Sequence, residues 1–252
     1  VRVPTASNVS VSNACAVTSE GIQVFYRDET QGVLLGAYKN FGGAWNYELV
    51  DGDRKTDFRT TGDVAFHLKA LVDGNKTYVM YDSVLAIDQN RDATSGEIRL
   101  ATRTSFDPGA WQFRTLESPN AGSSILGYDV EIVKSAKGIM ASWFSATALS
   151  MPDPTLVRTL NISNSSAVLT TSSSNFGTPN KLLSSDSKTL MFNCLGRLCA
   201  IDYSKFSRGQ RAISLASSWQ SVEPIASAWI TLNKVRYAVA GINGKVVLLK
   251  AA

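Results

Sequence analysis

Residues Ile22 to Leu49 read IQVFYRDETQGVLLGAYKNFGGAWNYEL and indicate the fold most clearly. It contains short apolar or alternating runs separated by polar turns that carry glycine, which is the pattern of antiparallel strands in a meander. The same order returns from Thr77 onward, with a Tyr-Asp strand, a strand led by Gly96 and a strand led by Trp111. The chain is therefore predicted to be a repeat-built β protein.

A strand of small residues, Val9 to Thr18, precedes the first unit, and 63–72 stands in the same place before the second. Small residues suit the innermost strand of a propeller blade, where blades converge on the axis. A repeat spacing of roughly 45 to 55 residues agrees with blade lengths. We therefore predict an all-β fold, a single five-bladed β-propeller domain over 1–252 with four-stranded antiparallel blades. The approximate blade bounds are 11–58, 59–120, 121–178, 179–222, and 223–252 together with 1–10.

In this arrangement the last blade lacks one strand, and the N-terminal segment is predicted to supply it. Such a strand would close the ring and hide both sheet edges. Sustained helical periodicity is absent from the sequence, which disfavours helical and α/β folds.

The run 63–82, DVAFHLKALVDGNKTYVMYD, resembles the repeats of exported bacterial β-propellers, together with the later strands led by Gly96 and Trp111. In those repeats an inner strand leads to a Tyr-Tyr-Asp-like second strand, a Gly-led third and a Trp-led fourth. The resemblance covers about the first half of the chain well and the second half poorly. It implies a propeller in an extracytoplasmic setting, and no particular chemistry.

Charge and hydropathy narrow the classes of function. The net charge of +4 is spread along the chain without a block of like charges, which disfavours nucleic-acid binding. No apolar run approaches the roughly eighteen residues of a membrane span, so no direct membrane insertion is predicted. The first residue is Val1 and no leader precedes it, as expected if an export signal has been removed or if the chain has been shortened. The protein is predicted to be secreted or extracytoplasmic, at a cell surface.

The sequence contains three cysteines. Cys194 and Cys199 enclose a turn-like segment between two apolar runs, which favours a disulfide, or else two buried thiols, over a metal site. Cys15 lies in an apolar strand and is predicted to be a small buried core residue.

Three carboxylates head predicted inner strands of different blades: Asp63, Asp129 and Glu223. Loops at these strand starts surround one mouth of a propeller channel. The arrangement resembles that of five-bladed glycoside hydrolases, in which one carboxylic acid protonates the leaving oxygen and another carboxylate activates water or attacks. The alternative is that Asp63 and Asp129 are turn residues that bond to their own backbone. His67 is interpreted as structural, because no Gly-x-Ser-x-Gly elbow accompanies it.

A polar loop carries oxygen ligands at alternate positions, namely Asp88, Asn90 and Asp92 with Glu97 beyond. This pattern is compatible with Ca²⁺, although Ala93 stands where an EF-hand requires glycine. A solvated polar hairpin is the favoured interpretation, and no cofactor other than this calcium ion is considered.

The tryptophans divide by their place in the repeat. Trp45 and Trp111 occupy equivalent repeat positions and are predicted to pack between blades. Trp143, Phe144 and Trp229 depart from the repeat, so they are the candidates for ligand binding through aromatic stacking.

The leading functional interpretation is a non-enzymatic binding or scaffolding module at a cell surface or in an extracellular assembly, because no complete catalytic set is visible. Its partner would be a glycan or a protein. The alternative is a propeller glycoside hydrolase that uses the three carboxylates. A further possibility is a structural subunit of a larger assembly.

Overall fold

A computed structural model describes residues 9–52, 63–90, 93–107, 109–119, 124–147, 156–164, 168–171, 179–194, 198–205, 213–216, 226–242 and 245–250. These residues are nearly all in β-strands, with one 3-10 helix at Tyr203–Lys205. None of these residues belongs to a helix of 18 or more residues with the hydropathy of a membrane span.

The strands of the first two sheets are β1 (Val9–Val17), β2 (Gly21–Asp28), β3 (Val33–Asn40), β4 (Asn46–Asp51), β5 (Asp63–Asp73), β6 (Lys76–Ile87), β7 (Ala93–Arg103) and β8 (Gln112–Glu117). Those of the third and fourth sheets are β9 (Ser124–Ser135), β10 (Gly138–Thr147), β11 (Leu156–Asn161), β12 (Val168–Thr171), β13 (Pro179–Ser185), β14 (Thr189–Cys194), β15 (Leu198–Asp202) and β16 (Ile213–Ala216). The fifth sheet contains β17 (Ala226–Leu232), β18 (Val235–Ile242) and β19 (Lys245–Lys250).

Strands follow one another through each sheet in chain order, and neighbouring strands in the described residues pair antiparallel. Over the described residues, four sheets have four strands and one has three. This is the meander connectivity of propeller blades, and it confirms the all-β prediction. Residues 1–8 lie outside the described part, so closure of the ring by the N-terminal strand stays a prediction.

The chain divides into two compact units: residues 1–130 with 147–149, and residues 131–146 with 150–252. The first unit holds the first two sheets and residues 124–130 of β9. Its core cluster includes Phe25, Leu34, Val50, Val64, Val79, Tyr81, Ala101 and Trp111. The core of the second unit includes Met140, Phe144, Val157, Leu190, Phe192, Ile201 and Tyr203.

The two repeat tryptophans have different environments. Trp111 is buried and packs edge-to-face on Phe25 of the first sheet at 5.7 Å between ring centroids, as predicted for an inter-blade residue. Trp45 is exposed, contrary to the same prediction. It precedes β4, whose first residues, Asn46 and Tyr47, are also exposed, and burial begins only near the end of that strand.

Buried charged residues join the first two sheets. Arg99 of β7 pairs with Asp51 of β4 at 3.1 Å and with Glu97 at 2.6 Å. Tyr81 donates its hydroxyl to Asp51 at 2.7 Å. All four residues are buried. Each charge therefore has a partner, which is the condition for stable burial.

A second buried arginine lies among aromatic rings of the same two sheets. Arg103 pairs with Glu48, donates to Gln23 at 2.7 Å and lies 4.3 Å from the Trp111 ring centroid. Burial lowers the pKa of Arg103 and raises the pKa of Glu48. These contacts are structural, because they lie within the packing of the two sheets.

Candidate functional site

The start of β5 is irregular. Its pairing with β6 breaks between Val64 and Leu68, so residues 65–67 stand opposite the single residue Asp82. Within this bulge Ala65 has φ of 64° and is fully buried. A non-glycine residue in this region costs roughly 1–3 kcal/mol and persists where its surroundings hold it, often at functional sites. Bulges also occur beside active sites, where they re-aim a side chain. The bulge is therefore the leading candidate position for a site.

Arg27 of β2 contacts the first residues of β5. Its Nη2 pairs with Asp63 Oδ1, and its Nε donates to the carbonyl oxygen of Val64 at 3.0 Å. The guanidinium carbon lies 3.8 Å from the ring centroid of Phe66. Arg27 itself is buried, whereas the Asp63 side chain is 49% exposed. Asp63 and Phe66 are thus held in place while they remain open to solvent.

The glycine at position 32 makes room for Asp63. Gly32 has φ of +66°, and a Cβ built on it would overlap the Asp63 carboxylate. Its carbonyl oxygen also accepts a hydrogen bond from the backbone N–H of Val64 at 3.0 Å. The β2–β3 turn of the first sheet therefore forms one side of the site.

Asp82 of β6 binds His67, the last residue of the bulge. One of its oxygens accepts the backbone N–H of His67 at 3.0 Å, and the other lies 2.9 Å from His67 Nδ1. Burial lowers the pKa of His67, but the hydrogen bond to Asp82, the charges of Asp82 and Asp129, and a hydrogen bond to the Gly127 backbone outweigh it. The pKa of His67 is therefore raised, which favours the imidazolium.

This geometry links β5 to β9. Asp129 and Gly127 belong to β9, and both act on the His67 ring. Gly127 has φ of +94° and packs directly against Asp82 and Ile98. Because imidazolium donates from both ring nitrogens and neutral imidazole from only one, the cation suits acceptors on two strands.

The stability of this link is expected to depend on pH. Since the folded pKa of His67 lies above the unfolded value of about 6.5, its stabilisation is complete below that value and is lost as pH rises through the folded pKa. The midpoint of urea unfolding of the wild type should therefore fall as the pH rises through this interval. His67→Gln should lose this component of the pH dependence. Parallel pH profiles for the two proteins would contradict the assignment.

Of the predicted carboxylates, Asp63 heads β5 just before the bulge, and Asp129 of β9, which belongs to another sheet, acts on the His67 ring. Asp129 accepts the backbone N–H of Val130 at 3.1 Å, so it also shows the local bonding of the turn interpretation. Asp129 lies within β9, several residues after its first residue, Ser124. Glu223 lies outside the described residues.

The predicted calcium site is not assembled among the described residues. Glu97 is buried and paired with Arg99, while Asp88 accepts the backbone N–H of Asn90 at 2.8 Å, as in a polar hairpin. Asp92 lies outside the described part. Where the chain is described, no group of three or more His, Cys, Asp or Glu side chains is placed to hold a metal ion.

The cysteine side chains that the structure describes are those of Cys15 and Cys199. Cys199 is a buried thiol opposite Phe192, which agrees with the alternative of buried thiols. The side chain of Cys194 lies outside the described part, so its disulfide with Cys199 stays a prediction. Cys15 is exposed instead of buried. Strand alternation explains this exposure, because the neighbouring Ala16 points into the core of the first unit.

The aromatic residues predicted to bind a ligand are buried or packed against other side chains in the structure. Trp143 and Phe144 are 0% and 1% exposed, so they offer no face to a ligand. Trp229 is partly buried, and the Arg236 guanidinium lies 3.7 Å from its ring centroid. Arg236 is held by Asp186 at 2.6 Å and 2.7 Å, so this stack resembles a packing contact within the second unit.

The chain matches no family model and no curated protein. Among solved structures, it resembles an alpha-L-arabinanase of Penicillium chrysogenum complexed with arabinobiose, with 11% identity and a TM-score of 0.59 over 95% of this chain and 76% of that one. The chain has the fold of a five-bladed β-propeller. An alpha-L-arabinofuranosidase from Lactobacillus brevis has 8% identity and a TM-score of 0.50 over 96% and 90% of the two chains. A thermostable family-43 glycoside hydrolase has 11% identity and a TM-score of 0.50 over 99% and 96%.

At these identities the similarity shows a shared fold. It confirms the propeller prediction, but an exported repeat family is not confirmed by it. The leading interpretation from the sequence, a non-enzymatic binding or scaffolding module, is corrected, because the three solved structures named above are an arabinanase, an arabinofuranosidase and a family-43 glycoside hydrolase.

Sequence reasoning missed the residues that surround Asp63. The repeat pattern assigns Arg27 and Asp82 only to regular strands, and it does not identify Phe66 as a ligand contact. One signal was present: the apolar run from Val64 to Phe66 interrupts the alternation of β5, which is typical of a bulge.

Proposed function

We propose that this protein is a β-propeller glycoside hydrolase whose site lies at the β5 bulge. The observation that carries the proposal is a strained, buried Ala65 in a bulge from which Asp63, Phe66 and His67 reach solvent, with Asp129 of β9 close enough to act on His67. Strain at such a position is expected to be retained for function. The shared fold with arabinan-active hydrolases supports the same reaction class.

Glycoside hydrolysis needs two carboxyl groups with different tasks. Asp63 is half-exposed and paired with the buried Arg27, so its carboxyl group is held where water or a sugar can reach it, as a group that activates water or attacks the anomeric carbon must be. Asp129 lies near the His67 ring. Its proposed task is to orient the sugar or the attacking water. Glu223 remains the sequence-based candidate for the proton donor.

The substrate proposed is a neutral glycan, and arabino-oligosaccharides are the first candidates because of the neighbours' substrates. An extracytoplasmic setting is part of the same proposal, since polymeric glycans are met outside the cell.

The test measures hydrolysis of a panel of arabino- and xylo-oligosaccharides through the release of reducing sugar. Asp63→Asn and Asp129→Asn should each lower kcat at least about 100-fold, the lower range for acid–base groups. The matched control is Asp73→Asn, at the opposite end of β5, which should keep wild-type activity. Thermal unfolding should show that all variants are folded.

Two results would overturn the proposal. One is the absence of hydrolysis by the wild type across the panel. The other is hydrolysis that is equally fast in Asp63→Asn, Asp129→Asn and the Asp73→Asn control, which would separate the activity from this site.

A further inference from the structure

We propose that Phe66 is the stacking surface for one neutral sugar ring at this site, an inference that rests on the proposed function. Phe66 is 39% exposed, which is unusual for a large apolar side chain in an inner strand. Phe66 lies within the β5 bulge, between Asp63 and His67 in sequence, and Arg27 contacts both its ring and the Asp63 carboxylate.

The back of the Phe66 ring is already occupied. The Arg27 guanidinium lies 3.8 Å from its centroid, and Arg27 is fixed by the carbonyl of Val64 and by Asp63. A ring fixed in this way loses little conformational entropy when a ligand binds, which favours affinity. The face that remains is the one that a ligand can cover.

Electrostatics indicate the class of ligand. An aromatic face carries partial negative charge and attracts the weakly positive C–H groups of a sugar ring. Full cations also bind such faces, but here Arg27 already supplies the cation, and its charge is balanced by Asp63. Phe66, Arg27 and Asp63 together form a stacking platform that carries no net charge. A neutral sugar therefore suits this platform better than an amino sugar or a uronic acid.

Another exposed aromatic residue in the first unit provides a matched control. Phe41 is 63% exposed and lies after β3, away from the bulge in sequence and strand position. Phe41→Ala removes the same side chain from the surface without touching Arg27 or Asp63. Any general effect of losing an exposed ring would appear in this variant too.

The experiment measures binding of arabino- and xylo-oligosaccharides by calorimetry, with glucosamine and galacturonic acid oligosaccharides as charged probes. Phe66→Ala and Phe66→Leu should raise the Kd for the preferred neutral sugar about tenfold, equivalent to about 1.4 kcal/mol. Phe66→Tyr should retain affinity because it keeps the aromatic face. In turnover, Phe66→Leu should raise KM more than it lowers kcat.

The outcomes separate this inference from the proposed function. Binding that depends on Phe66 without hydrolysis would retain the platform and reject the hydrolase. Hydrolysis with equal Kd in the wild type, Phe66→Leu and Phe41→Ala would retain the hydrolase and overturn the platform. Preference for a charged probe, or no binding of any probe by the folded wild type, would also overturn it.

Discussion

Arg99→Met is expected to lower the free energy of unfolding by roughly 3–5 kcal/mol, the usual cost of removing one partner from a buried charge cluster. The Asp51 side chain is 1% exposed and that of Glu97 is 10% exposed, so neither reaches enough water to replace the lost cation. Methionine approximates the length of the arginine stem, and the loss is therefore mainly electrostatic. Urea unfolding followed by circular dichroism measures the effect.

The control is Arg114→Met, which makes the same substitution at an exposed position of β8. Its effect should remain within about 0.5 kcal/mol, as for ordinary surface substitutions. A variant in which Arg99, Asp51 and Glu97 are all replaced by apolar residues should recover part of the loss, since no charge is then left unpaired. Equal unfolding midpoints for Arg99→Met and Arg114→Met would show that the cluster contributes no stability.

Gly127→Ala is expected to disrupt both stability and activity. A Cβ at this position would lie 2.6 Å from Asp82 Cβ and 2.6 Å from Ile98 Cδ1, and the backbone has φ of +94°. Backbone strain of roughly 1–3 kcal/mol is therefore added to a steric overlap of roughly 1–3 kcal/mol. Relief of the overlap must move Asp82 or β9, and either movement changes the position of His67 relative to Asp129.

Gly74→Ala separates the two causes. Gly74 has φ of +63°, but a Cβ there would meet nothing within 4 Å, so only the backbone term applies. Gly74→Ala should lower the unfolding midpoint slightly and leave glycan hydrolysis unchanged. Gly127→Ala should lower the midpoint more and reduce kcat. If the two variants have the same midpoint and the same activity, the contact between Gly127 and Asp82 is not important.

The fold could be predicted from the sequence because it depends on local patterns that repeat. The spacing of turns and the equivalent positions of Tyr81 and Trp111 in the second repeat are visible without knowledge of distant contacts. A candidate carboxylate could also be identified from the sequence, since Asp63 heads a predicted inner strand. Burial was harder to predict: Trp143 breaks the repeat, yet it is fully enclosed in the structure.

The class of this protein, an all-β chain of meander sheets, follows from the sequence alone, because period-two alternation and glycine turns act over a few residues. The set of side chains that form the candidate site depends on tertiary packing. The bulge at Ala65, the support from Arg27 and the link from Asp82 through His67 to β9 join residues far apart in the chain. Their meeting depends on how one sheet packs against the next, and that packing leaves no local signature in the sequence.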